Sequence, residues 1–407
     1  MSHPKRADVL VLSLTPYRFA TRARKAAFHL ARSRNVAFVS LAAAGRTGIR
    51  DAPGRSAVDG VAITQVPVGR IRQSTGVLSR VWNLLVVYLP AYVRLARVVR
   101  RSPSRVVFVT APALARLGLR HAARFGSKLI FDVPERPGAV AVKGSLASSF
   151  ARIERRRLSE VAREAMLATV AVAPDKAALE ELGFDRVVLL RNVPLAGWRA
   201  AFRAPDTGGD RPLRAVLVGS IFEGRGVEAV IDALAICRAD GTPVRVTIAG
   251  PARPAYLNAL QGRAVAAGVD EMIDWVGSLP SDGVSELYLQ HDLGFVLYDQ
   301  SVSGNDGLSN KILECVASGR PVLAGDLPEN RRFVETHDVG WLSQVEARSL
   351  AAALAAIWER RDQLGHYAER CRALGERELT WESEMAPVAG IIDEARARAD
   401  SESEARP

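Results

Sequence analysis

Cysteine is scarce in this sequence, and the three that occur, Cys237, Cys315 and Cys371, stand far apart with no CxxC spacing. That argues against a disulfide framework and a zinc cluster, so no metal is expected and a reducing cytoplasm is the expected setting. Apolar runs long enough to cross a bilayer are missing too. The stretch VWNLLVVYLPAYV (81–93) holds 13 uncharged residues between Arg80 and Arg94, which is too few, and it contains Pro90. At the amino terminus the apolar run reaches only from Val9 to Leu14, and no small-residue cleavage site follows. It is expected to be a first buried strand and not a signal peptide. No GxGxxG comes after it, which argues against a dinucleotide dehydrogenase. Neither a base-stacking aromatic pattern nor a DNA-reading helix is evident, so nucleic acid is not an expected partner.

Acidic residues are rare in one half only. Residues 1–200 carry 34 Lys+Arg against 12 Asp+Glu, while the remainder carries 21 against 32. The net charge of +11 therefore hides a basic half of +22 joined to an acidic half of −11. Two surfaces so different are expected to meet different partners, the basic one an anionic lipid or a phosphorylated acceptor.

What is present is a strand–helix alternation. In the second half the short apolar runs LRAVLVG (213–219), VRVTIAG (244–250), MIDWVGS (272–278), LGFVLYD (293–299) and PVLAG (321–325) are separated by helical patterns. Such spacing implies βαβ units and a parallel sheet. The first half repeats it with DVLVLSL, a helix near 22–33, VAFVSL, RVVFVT, KLIFDV and ATVAVA. The Pro-, Gly- and Asp-rich stretch 194–212 reads as a linker. The expected fold is α/β, with two Rossmann-like domains facing a cleft: 1–195, 213–380, and a last helix at 381–400. Ligands in such folds bind at the carboxyl ends of the strands.

The segment GNDGLSNKILECVASGRPVLAG (304–325) is the richest in chemistry. A Gly/Asn/Asp loop leads to Ser309, a suitable N-cap for a helix running to Gly319. A helix start of this kind offers free N–H groups and a positive dipole end to a diphosphate. On a helical wheel Lys311, Glu314, Cys315 and Ser318 share one face, while Ile312, Leu313, Val316 and Ala317 share the other. A cation there can sit on phosphate, and a carboxylate one turn deeper can accept hydrogen bonds from two vicinal hydroxyls. The same Lys311 and Glu314 could also be an ordinary solvated i,i+3 pair.

The string Asp306 to Glu314 resembles the acidic-x7-acidic motif of GT-B glycosyltransferases of the group 1 branch, with Asp in the first position. AVLVGSIFEGRGVEAVIDAL is similar to the opening of their donor domain, and Trp381 in LTWES to the mark of their final helix. The resemblance implies a nucleoside-diphosphate sugar as co-substrate, with no separate cofactor. It implies donor contacts from Gly219, Ser220, Arg225, Gly277, Asp306, Leu308, Ser309, Lys311 and Glu314. Glu314 would hold the ribose, and Arg225 and Lys311 the diphosphate. The family often has Arg where this chain has Ser220. Its retaining members usually carry a His on a loop where this chain reads APALA.

The first half is similar to xanthan-type β-glucuronosyltransferases, through SLTPYRFATRARKAAFHL and KLIFDVPERPG. That resemblance implies inversion at the sugar, with Glu135 as base and Asp132 as its fallback. The cluster Arg18, Arg22, Arg24 and Lys25 opens the first helix, where an acceptor phosphate would be favoured. The expected function is sugar transfer to a lipid-linked or cell-surface glycan, at the inner face of the cell membrane. Residues 81–93 and the arginines after them would lie on anionic lipid, unless that helix is buried between the domains. A nucleotide-sugar epimerase and a degenerate glycosyltransferase-like scaffold are the competing expectations.

Overall fold

Short, mostly apolar strands of three to six residues, most of them alternating with helices, build two separate sheets. The computed structural model describes residues 6–17, 20–42, 53–69, 82–133, 147–206, 208–209, 211–299 and 307–404. The chain divides into one unit of Met1–Arg191 with Met385–Pro407 and a second of Asn192–Glu384.

The first unit contains β1 (Ala7–Leu12), β2 (Val36–Leu41), β3 (Gly54–Val58), β4 (Val61–Val66), β5 (Ser104–Val109), β6 (Lys128–Val133), β7 (Ala165–Val170) and β8 (Val187–Leu189). Their order is β3-β4-β2-β1-β5-β6-β7-β8, parallel throughout except for β3 against β4. Helices cover both faces, which is why β1, β5 and β6 read as nearly continuous apolar runs. The β3–β4 hairpin was not expected. It turns on Asp59 and Gly60, whose φ angles of 52° and 78° are those a two-residue hairpin turn requires.

The second unit contains β9 (Leu213–Val218), β10 (Val244–Ala249), β11 (Ile273–Gly277), β12 (Leu293–Val296), β13 (Val322–Gly325) and β14 (Gly340–Ser343). The order β11-β10-β9-β12-β13-β14 is all parallel and reverses direction between β9 and β12. A doubly wound sheet holds its ligand at such a reversal. Leu217, Val246, Phe295 and Leu354 share this unit's core, and Leu10, Val107, Phe131 and Leu158 share that of the first. Each such side chain contributes about 1.5–3 kcal/mol by leaving water.

The stretch expected as a linker is strapped along the second unit. Trp198 Nε1 donates to the Ser281 carbonyl (2.6 Å), Ala200 N to Ser285 Oγ (3.0 Å), and Arg211 grips Asp292 with two bonds of 3.0 and 2.7 Å. The last helix, Trp381–Glu404, starts at a buried Trp381 and continues into the residues grouped with the first unit.

Candidate functional site

Backbone crowding at the reversal point dictates glycine. After β9 the chain turns at Gly219 with φ +129°, and Gly250 follows β10 with φ +155°. A Cβ at position 250 would lie 1.8 Å from the Gly219 carbonyl oxygen, so two strand ends meet backbone to backbone. Gly226, with φ +78°, starts the helix Val227–Ala239, and a Cβ there would lie 2.6 Å from the Leu297 carbonyl oxygen. The Asp299 N–H reaches the Gly224 carbonyl (2.9 Å) and ties the end of β12 to the same loop.

This packing drives Arg225 inward until it is only 1% exposed. Its Nη2 donates to the Val218 carbonyl (3.0 Å), and its guanidinium lies 4.0 Å from the centre of the Tyr298 ring. Among the described residues its Nη1 is buried with no hydrogen-bond partner. Burial pulls its pKa down, opposed by Tyr298, Tyr288 and Glu314. A guanidinium held this way is costly by itself and is relieved by any anion that reaches the free N–H.

From the other side comes the helix Asn310–Ala317. Ser309 is its N-cap, with its side chain accepting from the Lys311 N–H (3.3 Å). The Lys311 stem passes over Gly219, where a Cβ would be 3.3 Å from Lys311 Cε and 3.6 Å from Arg225 Nη2. Lys311 Nζ then meets Glu314 Oε2 at 2.6 Å, both side chains being about three-quarters buried. The pair expected on the helix is thus formed, and it stands beside Arg225. Two cations, one carboxylate and capped helix N–H groups converge on one glycine.

Other expected donor residues are more dispersed. Ser220 is exposed next to Gly219, Leu308 is half-buried next to the cap, and Gly277 ends β11, separated from β9 by β10. Asp306 lies outside the described residues. Cys315 does not share the face of Lys311 and Glu314. It is fully buried, with Sγ donating to the Arg320 and Pro321 carbonyls (3.4 and 3.5 Å). The wheel misplaces it because this helix is covered on two sides. Gly375 in the helix Leu364–Arg377 approaches so closely that a Cβ would sit 2.8 Å from the Ala317 carbonyl.

Arg320 was not singled out in the sequence. It is buried with its donors on the carbonyls of His291, Gly319, Arg203 and Leu289, and burial lowers its pKa to about 10. It is an internal clamp whose carbonyl partners come from other segments, and no local spacing signals it.

In the first unit the reversal lies between β1 and β5. The helix Thr21–Ala31 starts there, as expected, but Arg22 points inward. Its Nε bonds both Asp132 oxygens (2.9 Å each), its Nη2 lies 2.9 Å from Asp132 Oδ1, and its Nη1 donates to the Leu190 carbonyl. Asp132 is buried and also accepts from Thr169 Oγ1 (2.6 Å). The expected fallback base and one of the expected phosphate contacts are thus bonded to each other, with the Thr169 hydroxyl on the same carboxylate. Lys25 is buried and Arg24 half-buried in the same helix. Glu135 and Arg18 lie outside the described residues.

Residues 212–360 match the sequence model of the family described as "Glycosyl transferases group 1". Among solved structures, the fold is that of sucrose-phosphate synthase from Thermosynechococcus elongatus (TM-score 0.71, 13% identity, 97% of this chain and 100% of that one). It is also that of Anabaena HepE in complex with UDP and glucose (0.66, 14%, 96% and 100%). WaaG, a glycosyltransferase involved in lipopolysaccharide biosynthesis, is similar as well (0.61, 15%, 94% and 99%). These are GT-B folds, each with two Rossmann-like parts. No curated protein is similar enough to match.

Proposed function

We propose that the chain is a group 1 glycosyl transferase, a reading supported by the match of residues 212–360 to that family's model, and that it uses a nucleotide sugar. The donor's diphosphate sits against Gly219, with Arg225 on one side and the capped helix start at Ser309–Lys311 on the other. The observation that carries this is the buried, unpartnered Nη1 of Arg225 beside Lys311, at the reversal point of a β11-β10-β9-β12-β13-β14 sheet. When phosphate takes Lys311, Glu314 is released to accept from the ribose hydroxyls. Anabaena HepE is in complex with UDP-glucose, which makes uracil the first base to try.

Group 1 enzymes retain the anomeric configuration, and retention replaces the inversion expected from the first half. The sites expected to support inversion do not speak for it, since Asp132 is closed on Arg22. Attack from the face that the diphosphate leaves places a departing phosphate oxygen nearest the acceptor proton, so Glu135 has no assigned step. The acceptor is a lipid-linked or cell-surface glycan, met at the inner face of the membrane. The +22 balance of residues 1–200 supports this. Arg24 and Lys25 stay in the role of phosphate contacts, without Arg22.

Calorimetry tests the donor site. Glu314→Ala should cost about 1.5–3 kcal/mol of UDP affinity, the range for hydrogen bonds to a charged group. Lys311→Ala should weaken UDP and leave uridine nearly unchanged. If neither variant loses affinity, the diphosphate lies elsewhere. An inverted product by NMR would reject retention.

A further inference from the structure

We propose that the stretch Trp82–Arg101 docks the protein on an anionic bilayer, and that it meets the bilayer with its amino-terminal end. The segment winds as a π-helix over Asn83–Tyr88 and as an α-helix over Leu89–Val99. One stripe is buried, made of Val87, Ala91, Leu95 and Val99 at intervals of four. The rest of its first half is apolar and exposed. Trp82, Leu84, Leu85, Val86, Tyr88, Leu89 and Val93 are each 39–59% accessible. Single exposed apolar side chains are ordinary, whereas seven within twelve residues form a patch that asks for a partner.

Charge chooses the partner. No acidic residue lies between Trp82 and Arg101, and Arg94, Arg97, Arg100 and Arg101 are all exposed. The half of the chain that carries them has the +22 balance. An anionic lipid surface satisfies both the apolar patch and the arginines. No helix among the described residues is long and apolar enough to cross a membrane, so the contact is with the surface.

The manner of contact follows from where the two classes of residue fall. A helix that lies flat on a membrane separates apolar and charged residues across its axis. Here the side opposite the patch is already packed on the protein, and the separation runs along the axis. At about 1.5 Å per residue, Arg94 to Arg101 lie roughly 1.5–12 Å beyond Val93. The end carrying Leu84 and Leu85 therefore goes deepest, and the arginines stop at the level of the lipid phosphates.

The inference deepens the membrane part of the reading above, and its test needs no sugar transfer. The full chain is sedimented with vesicles of pure phosphatidylcholine and with vesicles containing 30% phosphatidylglycerol. Binding should require the anionic lipid and weaken as salt rises, because surface charges are screened over about 8 Å at physiological ionic strength. L85S/L89S should lower partitioning at least tenfold with its circular dichroism unchanged. If that variant fails to fold, R94Q/R97Q/R100Q should lose the preference for anionic lipid. Depth is read from an environment-sensitive thiol dye on L85C and on R97C, since the natural cysteines are all buried. Quenching by brominated lipid should be strong at 85 and weak at 97. Equal quenching would overturn the end-on orientation. Equal binding to both vesicles, or no binding, would overturn the docking. So would a lipid-free dimer that L85S/L89S dissolves, because the patch would then serve a second copy of the chain.

Discussion

The two units lay down the same kind of sheet and then treat charge at the reversal point in opposite ways. In the first, Arg22 and Asp132 approach from different strands' ends and close on each other, with Thr169 completing the carboxylate. In the second, Arg225 is driven inward by glycine packing, keeps one N–H unpaired, and stands beside Lys311 at Gly219. Topology supplies the crevice in both cases. What sets the second apart is that the buried Arg225 Nη1 has no hydrogen-bond partner among the described residues.

That contrast can be broken most forcefully at Asp132. Asp132→Asn removes the carboxylate charge that the Arg22 Nε and Nη2 groups meet and should cost about 3–5 kcal/mol in denaturant unfolding. The double change R22M/D132L should recover much of the loss, since an apolar pair replaces an ion pair at little cost. A loss below about 1 kcal/mol for Asp132→Asn would mean that water already reaches the pair.

Acid compares the units through their buried histidines. In the first, His121 is bonded to Ser104 Oγ (2.9 Å), and burial lowers its pKa to about 4. In the second, His291 meets the Leu287 carbonyl and Thr247 Oγ1, and burial lowers its pKa too. A lowered folded pKa means that the unfolded chain takes the proton first as pH falls below 6.5. Stability should therefore drop between pH 6.5 and about 4, by at most about 3 kcal/mol for His121. His121→Gln should flatten that part of the curve measured by chemical unfolding. An unchanged slope would show that the imidazole is already solvated.

The mildest expected effect sharpens the comparison best. Arg225→Gln removes a charge that has no carboxylate partner among the described residues, so the melting temperature should stay level or rise. UDP affinity should still fall by about 1.5–3 kcal/mol, the worth of a charge-assisted bond. A lower melting temperature with unchanged UDP affinity would make Arg225 structural, like Arg22.

Much of the second unit was legible because its signals are local. Apolar runs bounded by glycine gave β9 to β13, and Ser309 before a helical pattern gave the cap that binds the Lys311 N–H. The β3–β4 hairpin is legible as well, in the Asp59-Gly60 pair between apolar runs. The Arg22–Asp132 pair was not, since it joins positions 110 residues apart. Arg320 was hidden for the same reason. Cys315 shows the limit of a wheel, which divides a helix into two faces when a second helix buries part of the polar one. The apolar run at 81–93 reads as a lipid-facing segment with burial as the alternative, and the structure shows Val87 buried while its neighbours are exposed.

The winding of Asn83–Tyr88 carries a consequence for how such a sequence can change. The Leu89 N–H bonds the Leu84 carbonyl, five residues back, so each turn there holds more residues than the α-helix that follows. The segment is a phase offset between the patch and the helix that anchors it. At the same interval of four, the stripe of Leu95, Ala91 and Val87 runs on to Asn83, which is half-buried, and Leu84 beside it is among the most exposed side chains of the patch. Substitutions can alter how greasy this surface is, but only insertion or deletion of a residue can turn it to face another way.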